Sequence, residues 1–410
     1  MPEEGKETRS PRSVIGLLGL VFFLLGMSPG FYIPALTNIL TAKGLGSDFV
    51  QWAWMAGPVA ALLSPVSVGA LADNRFEAQK ILGSCGLMGS VVLGAAFVCL
   101  EQGYSPWLFI GLKFVSSIVS APMWSMMASI SMTHLKCGEK EFPLVRLGGT
   151  VGWFAAGFVT SYVLKADGTV VSGYAAAVVG MLAGLVAFAL PSTPPRGRSR
   201  SLRTLLGFDA FKLLKERDHF VFFVVTGLLS IPLAAFYMWT PKHLAELGDT
   251  TVTATMALGQ ISEIVAMLVM ASLMTRLRVK TLLTLALVLS AIRYGLFAWS
   301  GVVDTRTGLT IGIALHGMCY TFYFITAQMF LDRRVPVEVR SQAQGLLSMF
   351  SMGIGTLLGT IVVRKLYDEV VVEGVGGWSI YWAILGGFIA ALTLVFVLSY
   401  VGVAPKKKSG

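Results

Sequence analysis

Charge is scarce in this sequence. Of its 410 residues only 13% are Asp, Glu, Lys or Arg, about half the roughly 25% of a soluble domain. With 55% hydrophobic residues and a mean hydropathy of +0.73, that deficit excludes a water-soluble globular protein and indicates an integral membrane protein. Cysteine is scarce too. Cys85, Cys99, Cys137 and Cys319 lie mostly in apolar runs and show no metal spacing, so free thiols are expected and no disulfide framework. The four histidines, His134, His219, His243 and His316, are scattered without ligand spacing. No GxxxxGK[ST] phosphate loop occurs, so ATP is not the expected energy source. No catalytic set and no cofactor motif is found, and the chain reads as no enzyme. The net charge of +10 would suggest nucleic acid, but it sits in loops and tails, where it is a topology signal instead.

What is present is a series of long apolar runs. A spanning helix needs about 20 mainly apolar residues. Twelve runs meet this, at roughly 14–40, 50–72, 81–100, 106–132, 145–164, 172–190, 219–241, 252–275, 281–300, 308–331, 341–363 and 378–402. They are too long and too continuously apolar for barrel strands. The first is longer than a signal-peptide h-region and carries no small-residue cleavage site, so it is expected to remain as a membrane helix. Placing both termini in the cytoplasm puts 23 of the 32 Lys and Arg residues inside and 6 outside, a strong positive-inside bias. Lys113, Arg146 and Arg293 remain within helices.

The longest polar stretch lies at the midpoint. Its first part, PSTPPRGRSRS from Pro191, reads as a flexible basic linker. Its second part, LRTLLGFDAFKLLKER, reads as an amphipathic helix on the inner membrane surface. The organisation is therefore an N-terminal six-helix half (1–190), a cytoplasmic linker (191–218) and a C-terminal six-helix half (219–410). Two halves joined once suggest a transporter built of parallel repeats. Gly69-Ala-Leu-Ala-Asp73-Asn-Arg75 resembles the loop 2–3 signature of the major facilitator superfamily, whose all-α fold this would be. The second half keeps the basic residues of that loop (Arg276, Arg278, Lys280) and lacks its acid.

Ionisable groups inside helices are costly and mark functional sites or structural pairs. Arg146 lies in FPLVRLGGTVGW, Phe142 to Trp153, where Gly148, Gly149 and Gly152 allow another helix to pack closely. It reads either as a functional arginine with a polar partner or as an interfacial one snorkelling to headgroups. Gln260 and Glu263 share one face of helix 8. Glu263 reads as a proton or hydroxyl site, or as the ion-pair partner of Arg293 on helix 9. His316 and Tyr320 share a face of helix 10 and offer a titratable group and a ring, or simple core packing. Tyr320, Phe322, Tyr323 and Phe324 offer rings to a flat ligand or to the core. Lys113 has no evident role.

Several separated stretches together resemble one family: FPLVRLGGTVGW, LRTLLGFDAFKLLKER, GQISEIVAML, AIRYGLFAW and VRSQAQGLLSMFSMGIGTLLG. This looks like the nucleoside:proton symporter family of the major facilitator superfamily. The resemblance implies proton-driven uptake of nucleosides across a bacterial inner membrane by a multi-pass monomer, through a cavity between the halves. By motif, Arg146 and Thr150 match a polar pair beside the nucleoside, and Trp153 the place of a family aromatic. Gln260 and Glu263 match the pair that contacts the sugar hydroxyls. His316 and Tyr320 stand at aromatic cavity positions. The chain departs on helix 7, where Ala234 and Tyr237 replace amide side chains. It departs again on helix 10, where Thr321 replaces an acid and leaves Glu263 as the proton-coupling candidate. A sugar or small organic anion as substrate, an uncoupled facilitator and a non-transporting sensor are the alternatives.

Overall fold

A computed structural model describes residues 10–72, 76–194, 210–335, 340–373 and 377–402. Regular structure among the described residues is entirely helical. Ten helices there are long and apolar enough to cross a bilayer. They are α1 (Arg12–Ala42), α3 (Ala78–Glu101), α4 (Pro106–His134), α5 (Glu141–Leu164), α7 (Arg217–Glu246), α8 (Val252–Met270, helical on to Arg276), α9 (Val279–Val303), α10 (Arg306–Leu331), α11 (Gln342–Val372) and α12 (Gly377–Ser399). Two more, α2 (Ser47–Ala72) and α6 (Val171–Ala187), fill the second and sixth places. Each of the twelve apolar runs therefore contains one helix. The sixth is shorter than its run, because Phe188 to Leu190 turn away from the helix.

The helices are not uniform rods. Helix α1 breaks between Tyr32 and Leu36, around Pro34, and α4 breaks between Ser120 and Met123, at Pro122. Proline removes a backbone donor and its ring crowds the preceding turn, so both breaks have a local cause. Four π-helical stretches interrupt the rest: Val159–Leu164 in α5, Thr321–Ile325 in α10, and Met349–Gly355 and Asp368–Val372 in α11. The linker segment 195–209 and the loop signature at Asp73 and Arg75 lie outside the described residues. Ala210–Lys215, the described end of the expected amphipathic helix, forms a 3-10 helix with Ala210 buried.

Helix α1 packs mainly on α5 and α6, α3 on α4 and α6, and α2 on α4. Among the later helices α9 packs on α12 and α10, α8 on α10, and α7 on α11 and α12. The two groups meet where α5 faces α8, α2 faces α11 and the end of α1 faces α7. Bilayer lipid gives helices no hydrophobic reason to associate, so close backbone approach carries the packing. The α1–α5 seam shows this. A Cβ at Gly152 would collide with the Phe23 carbonyl, and one at Gly148 would lie 2.6 Å from the Gly19 carbonyl. The glycines read from the sequence as a close-packing face thus receive α1.

Polar groups tie the two groups of helices at the end where α1 and α7 finish. The Thr37 hydroxyl donates to the Met238 carbonyl at 2.7 Å, and the Asn38 amide to the Pro241 carbonyl at 3.1 Å. The Arg364 guanidinium donates to the Ser47 hydroxyl at 3.3 Å. The N-terminus of α8 is capped from the other group. An Asp167 carboxylate oxygen accepts from the Thr253 backbone N–H at 2.6 Å and from the Ser161 hydroxyl at 2.9 Å. The Ser161 oxygen in turn accepts from the Ala254 N–H at 3.0 Å. A carboxylate at a helix N-terminus satisfies orphan donors and complements the dipole.

The glycine seam predicts an asymmetry between two alanine substitutions. Gly152→Ala forces backbone apart and should destabilise by about 1–3 kcal/mol. Gly111→Ala, which meets nothing within 4 Å, should leave the melting temperature in detergent unchanged or slightly raised. Equal melting temperatures for the two variants would contradict the seam.

Candidate functional site

At mid-length the two groups of helices meet through side chains. The Thr150 hydroxyl on α5 donates to a Glu263 carboxylate oxygen on α8 at 3.3 Å. Glycine makes this meeting possible. Gly157 lets α5 lie on α8, where a Cβ would come within 2.6 Å of the Ala257 Cβ. Gly317 lets α10 lie against α8 at Glu263 itself, where a Cβ would strike the Glu263 backbone. Ser262 fixes the register, its hydroxyl accepting from the Gly317 N–H at 3.1 Å.

Around this bridge several side chains are only part-buried. Arg146, Trp153, Tyr237, Glu263 and Tyr320 are all of this kind. The Glu263 carboxylate lies within electrostatic reach of the Arg146 guanidinium and of the Tyr237 and Tyr320 hydroxyls. Arg146 does more than reach for the membrane surface. Its guanidinium lies over the Trp124 ring, 4.7 Å from the centroid, with the Phe22 ring at 5.9 Å. Gln260 is buried one turn before Glu263.

On the other wall a chain of polar groups runs through the later helices. Arg293 on α9 donates to His316 Nδ1 on α10 at 2.6 Å, and His316 Nε2 lies 3.0 Å from the Tyr237 hydroxyl on α7. The His316 ring stacks on Phe236 at 4.3 Å and lies 6.0 Å from the Tyr320 ring. Beside this chain is a cavity of about 20 Å³, bounded by Pro232, Ser290, Arg293, His316, Cys319 and Tyr320. It has room for about one water molecule and not for a metabolite.

The ion pair between Glu263 and Arg293, the alternative reading of Glu263, is not formed. Helix α9 turns Arg293 toward α10, into the later group, while Glu263 faces α5. Arg293 instead has His316 as acceptor and the Phe236, Tyr294 and Phe297 rings at 4.6 to 5.9 Å. Ala234 does not face the bridge either, since its Cβ packs on Gly359 of α11. Thr321 is fully buried, and its hydroxyl has no partner among the described residues. Lys113 sits apart, its ammonium 5.2 Å above the Tyr32 ring. Trp124, Ser262 and the capping pair Ser161 and Asp167 carry no sequence signal of their own. Only their place opposite Arg146, Gly317 and the start of α8 gives them a role.

A profile of the nucleoside H+ symporter family matches residues 17–403. The chain belongs to the nucleoside H+ symporter family. Its sequence is 32% identical over 404 residues to the protein YegT of Escherichia coli (strain K12), covering 93% of each chain. It is 25% identical over 362 residues to the nucleoside permease NupG of the same organism, covering 83% of this chain and 85% of that one. A crystal structure of a NupG variant superposes with a TM-score of 0.85 at 23% identity, over 94% of this chain and all of the other. The fold of this symporter-family chain is thus that of a solved nucleoside transporter.

The capped start of α8 in this symporter-family chain predicts a measurable opening. Removing a cap costs about 1–2 kcal/mol, which changes a two-state ratio by about 5- to 30-fold. Spin labels placed at Tyr162 and Thr250, on either side of the cap, should show a new longer-distance population in Asp167→Ala. An unchanged distance distribution would show that the cap does not hold that end closed.

Proposed function

We propose that the protein imports nucleosides together with protons across a bacterial inner membrane, as a monomer with both termini in the cytoplasm. Membership of the symporter family supports the transport class, and the excess of Lys and Arg on one side supports the orientation. In that orientation the end tied by Thr37, Asn38, Arg364 and Asp167 is the periplasmic one. The conformation is then closed to the periplasm, and import proceeds by breaking those ties and closing the opposite end.

The observation that carries the reading is the Thr150–Glu263 bridge, the one part-buried carboxylate–hydroxyl contact between the halves at mid-length among the described residues. One oxygen of Glu263 is engaged by Thr150. The other makes no hydrogen bond among the described residues, which supports a role in accepting from ribose hydroxyls. Arg146, Trp153, Tyr237 and Tyr320 complete the proposed walls, with Gln260 one turn from Glu263. A carboxylate held beside one arginine and among aromatic rings is also a reversible proton site, because the medium disfavours its charge and the arginine favours it. Glu263 is therefore the proposed proton-coupling residue, in a chain whose α10 carries Thr321 in place of an acid.

Two substitutions test this in proteoliposomes. Glu263→Gln should abolish accumulation of labelled uridine driven by an inward proton gradient; undiminished uphill uptake would remove Glu263 from coupling. Arg146→Ala should weaken uridine binding by about tenfold or more, the scale of a lost charge-assisted contact of ~1.5–3 kcal/mol. Unchanged affinity would take Arg146 out of the site.

A further inference from the structure

The chain Arg293–His316–Tyr237 has only one possible direction. A guanidinium has donors and no acceptor. At 2.6 Å from Arg293, His316 Nδ1 must therefore be the unprotonated nitrogen. A proton there would set two N–H groups against each other. The ring's proton then sits on Nε2, which donates to the Tyr237 oxygen at 3.0 Å. With its oxygen accepting from the imidazole, the Tyr237 hydroxyl is left to donate its own hydrogen elsewhere. No second partner for it exists among the described residues.

Burial follows the same direction. Arg293 and His316 are each 3% exposed, and Tyr237 is only part-buried. The fixed end of the chain lies in the core, and the free end lies within electrostatic reach of Glu263 and Tyr320. The ring of His316 is held by stacking on Phe236, and the guanidinium by the Phe236 and Tyr294 rings at 4.6 and 5.0 Å. Lysine would not replace this arginine, because the planar guanidinium both stacks and presents a fixed donor. The site thus has two poles of opposite sense. Glu263 accepts, and Tyr237 donates.

We propose that Arg293 and His316 are positioning residues that lock the Tyr237 hydroxyl as a hydrogen-bond donor, so that transport selects nucleosides presenting a base carbonyl oxygen to it. This inference rests on the nucleoside reading above. It assigns Arg293 and His316 to selectivity without contact to substrate, and it makes Tyr237 the residue that reads the base. A hydroxyl free to rotate would accept from an amino group as readily as it donates to a carbonyl. One held by His316 discriminates, because an aminated or weakly accepting base leaves a donor unpaired.

The test is competition for uptake into proteoliposomes of the full chain by uridine, 2-thiouridine and 4-thiouridine, in which sulfur replaces one carbonyl oxygen with a similar shape and weaker acceptance. Wild-type protein should prefer uridine over one of the two thio compounds by about tenfold. Tyr237→Phe, which deletes only the hydroxyl of a part-buried side chain, should bring that ratio to within about twofold, whatever it does to the rate of uptake. His316→Leu should do the same. His316→Gln should keep the preference, because its amide oxygen accepts from Arg293 and its amide N–H donates to Tyr237. A purely structural histidine would not give that rescue. A wild-type ratio near one, or a ratio unmoved in Tyr237→Phe, overturns the inference and leaves nucleoside transport standing. Absence of uridine uptake by the wild-type protein overturns the nucleoside reading itself and the inference with it.

Discussion

An ionic side chain inside this bundle must offset the water it loses. An Arg, Lys or Asp at a helix centre costs about 2.5–3.5 kcal/mol even on the lower insertion scales. A cation–π contact returns about 2 kcal/mol when desolvated, so a ring alone does not cover the cost. The structure meets this requirement differently at each site. Arg146 lies over Trp124 and stays part-exposed, retaining some hydration. Arg293 is fully enclosed and adds His316 as an acceptor to its three rings. Glu263 takes a hydroxyl from the opposite half. Where each charge found its partner is where the fold gained its polar walls.

That accounting also explains the asymmetry between the two halves of the proposed site. The α5 side brings one arginine and one hydroxyl to a carboxylate on α8, a bridge that spans the boundary between moving parts. The chain from Arg293 to Tyr237 stays within the later helices. A contact that crosses the boundary changes when the halves rock, whereas one within a half keeps its geometry. The proposed proton-coupling residue lies on the first, and the proposed donor to the base on the second. The cap of α8 by Asp167 adds a second crossing contact, on the same helix as Glu263. Events at Glu263 and at the closed end therefore share one rigid element.

The helices were legible because apolar length is a strong requirement of the bilayer, and all twelve runs hold a helix. The glycine run after Arg146 correctly announced a close neighbour, though only the structure names α1. Facing was less legible. Adjacent numbering made Arg293 a candidate partner for Glu263, yet Glu263 meets Thr150 on α5 and Arg293 meets His316 on α10. Rotation about a helix axis is fixed by packing, here by Gly317 and Ser262, and leaves no mark in periodicity when a helix is apolar nearly all round. The π-helical turns were illegible for the same reason. That beginning at Thr321 carries no proline or glycine and is set by what surrounds it. His316 and Tyr237 were each visible as candidates, but the donor sense that links them to Arg293 appears only in the distances.

The central claim is that substrate lies between the Glu263 acceptor and the Tyr237 donor, with Arg146 beside it. The most direct measurement is an experimental structure of the protein with uridine bound. The account predicts the ribose hydroxyls at Glu263 and a base carbonyl within hydrogen-bond distance of the Tyr237 hydroxyl. Uridine density elsewhere, or with Tyr237 facing a ring N–H of the base, would contradict it.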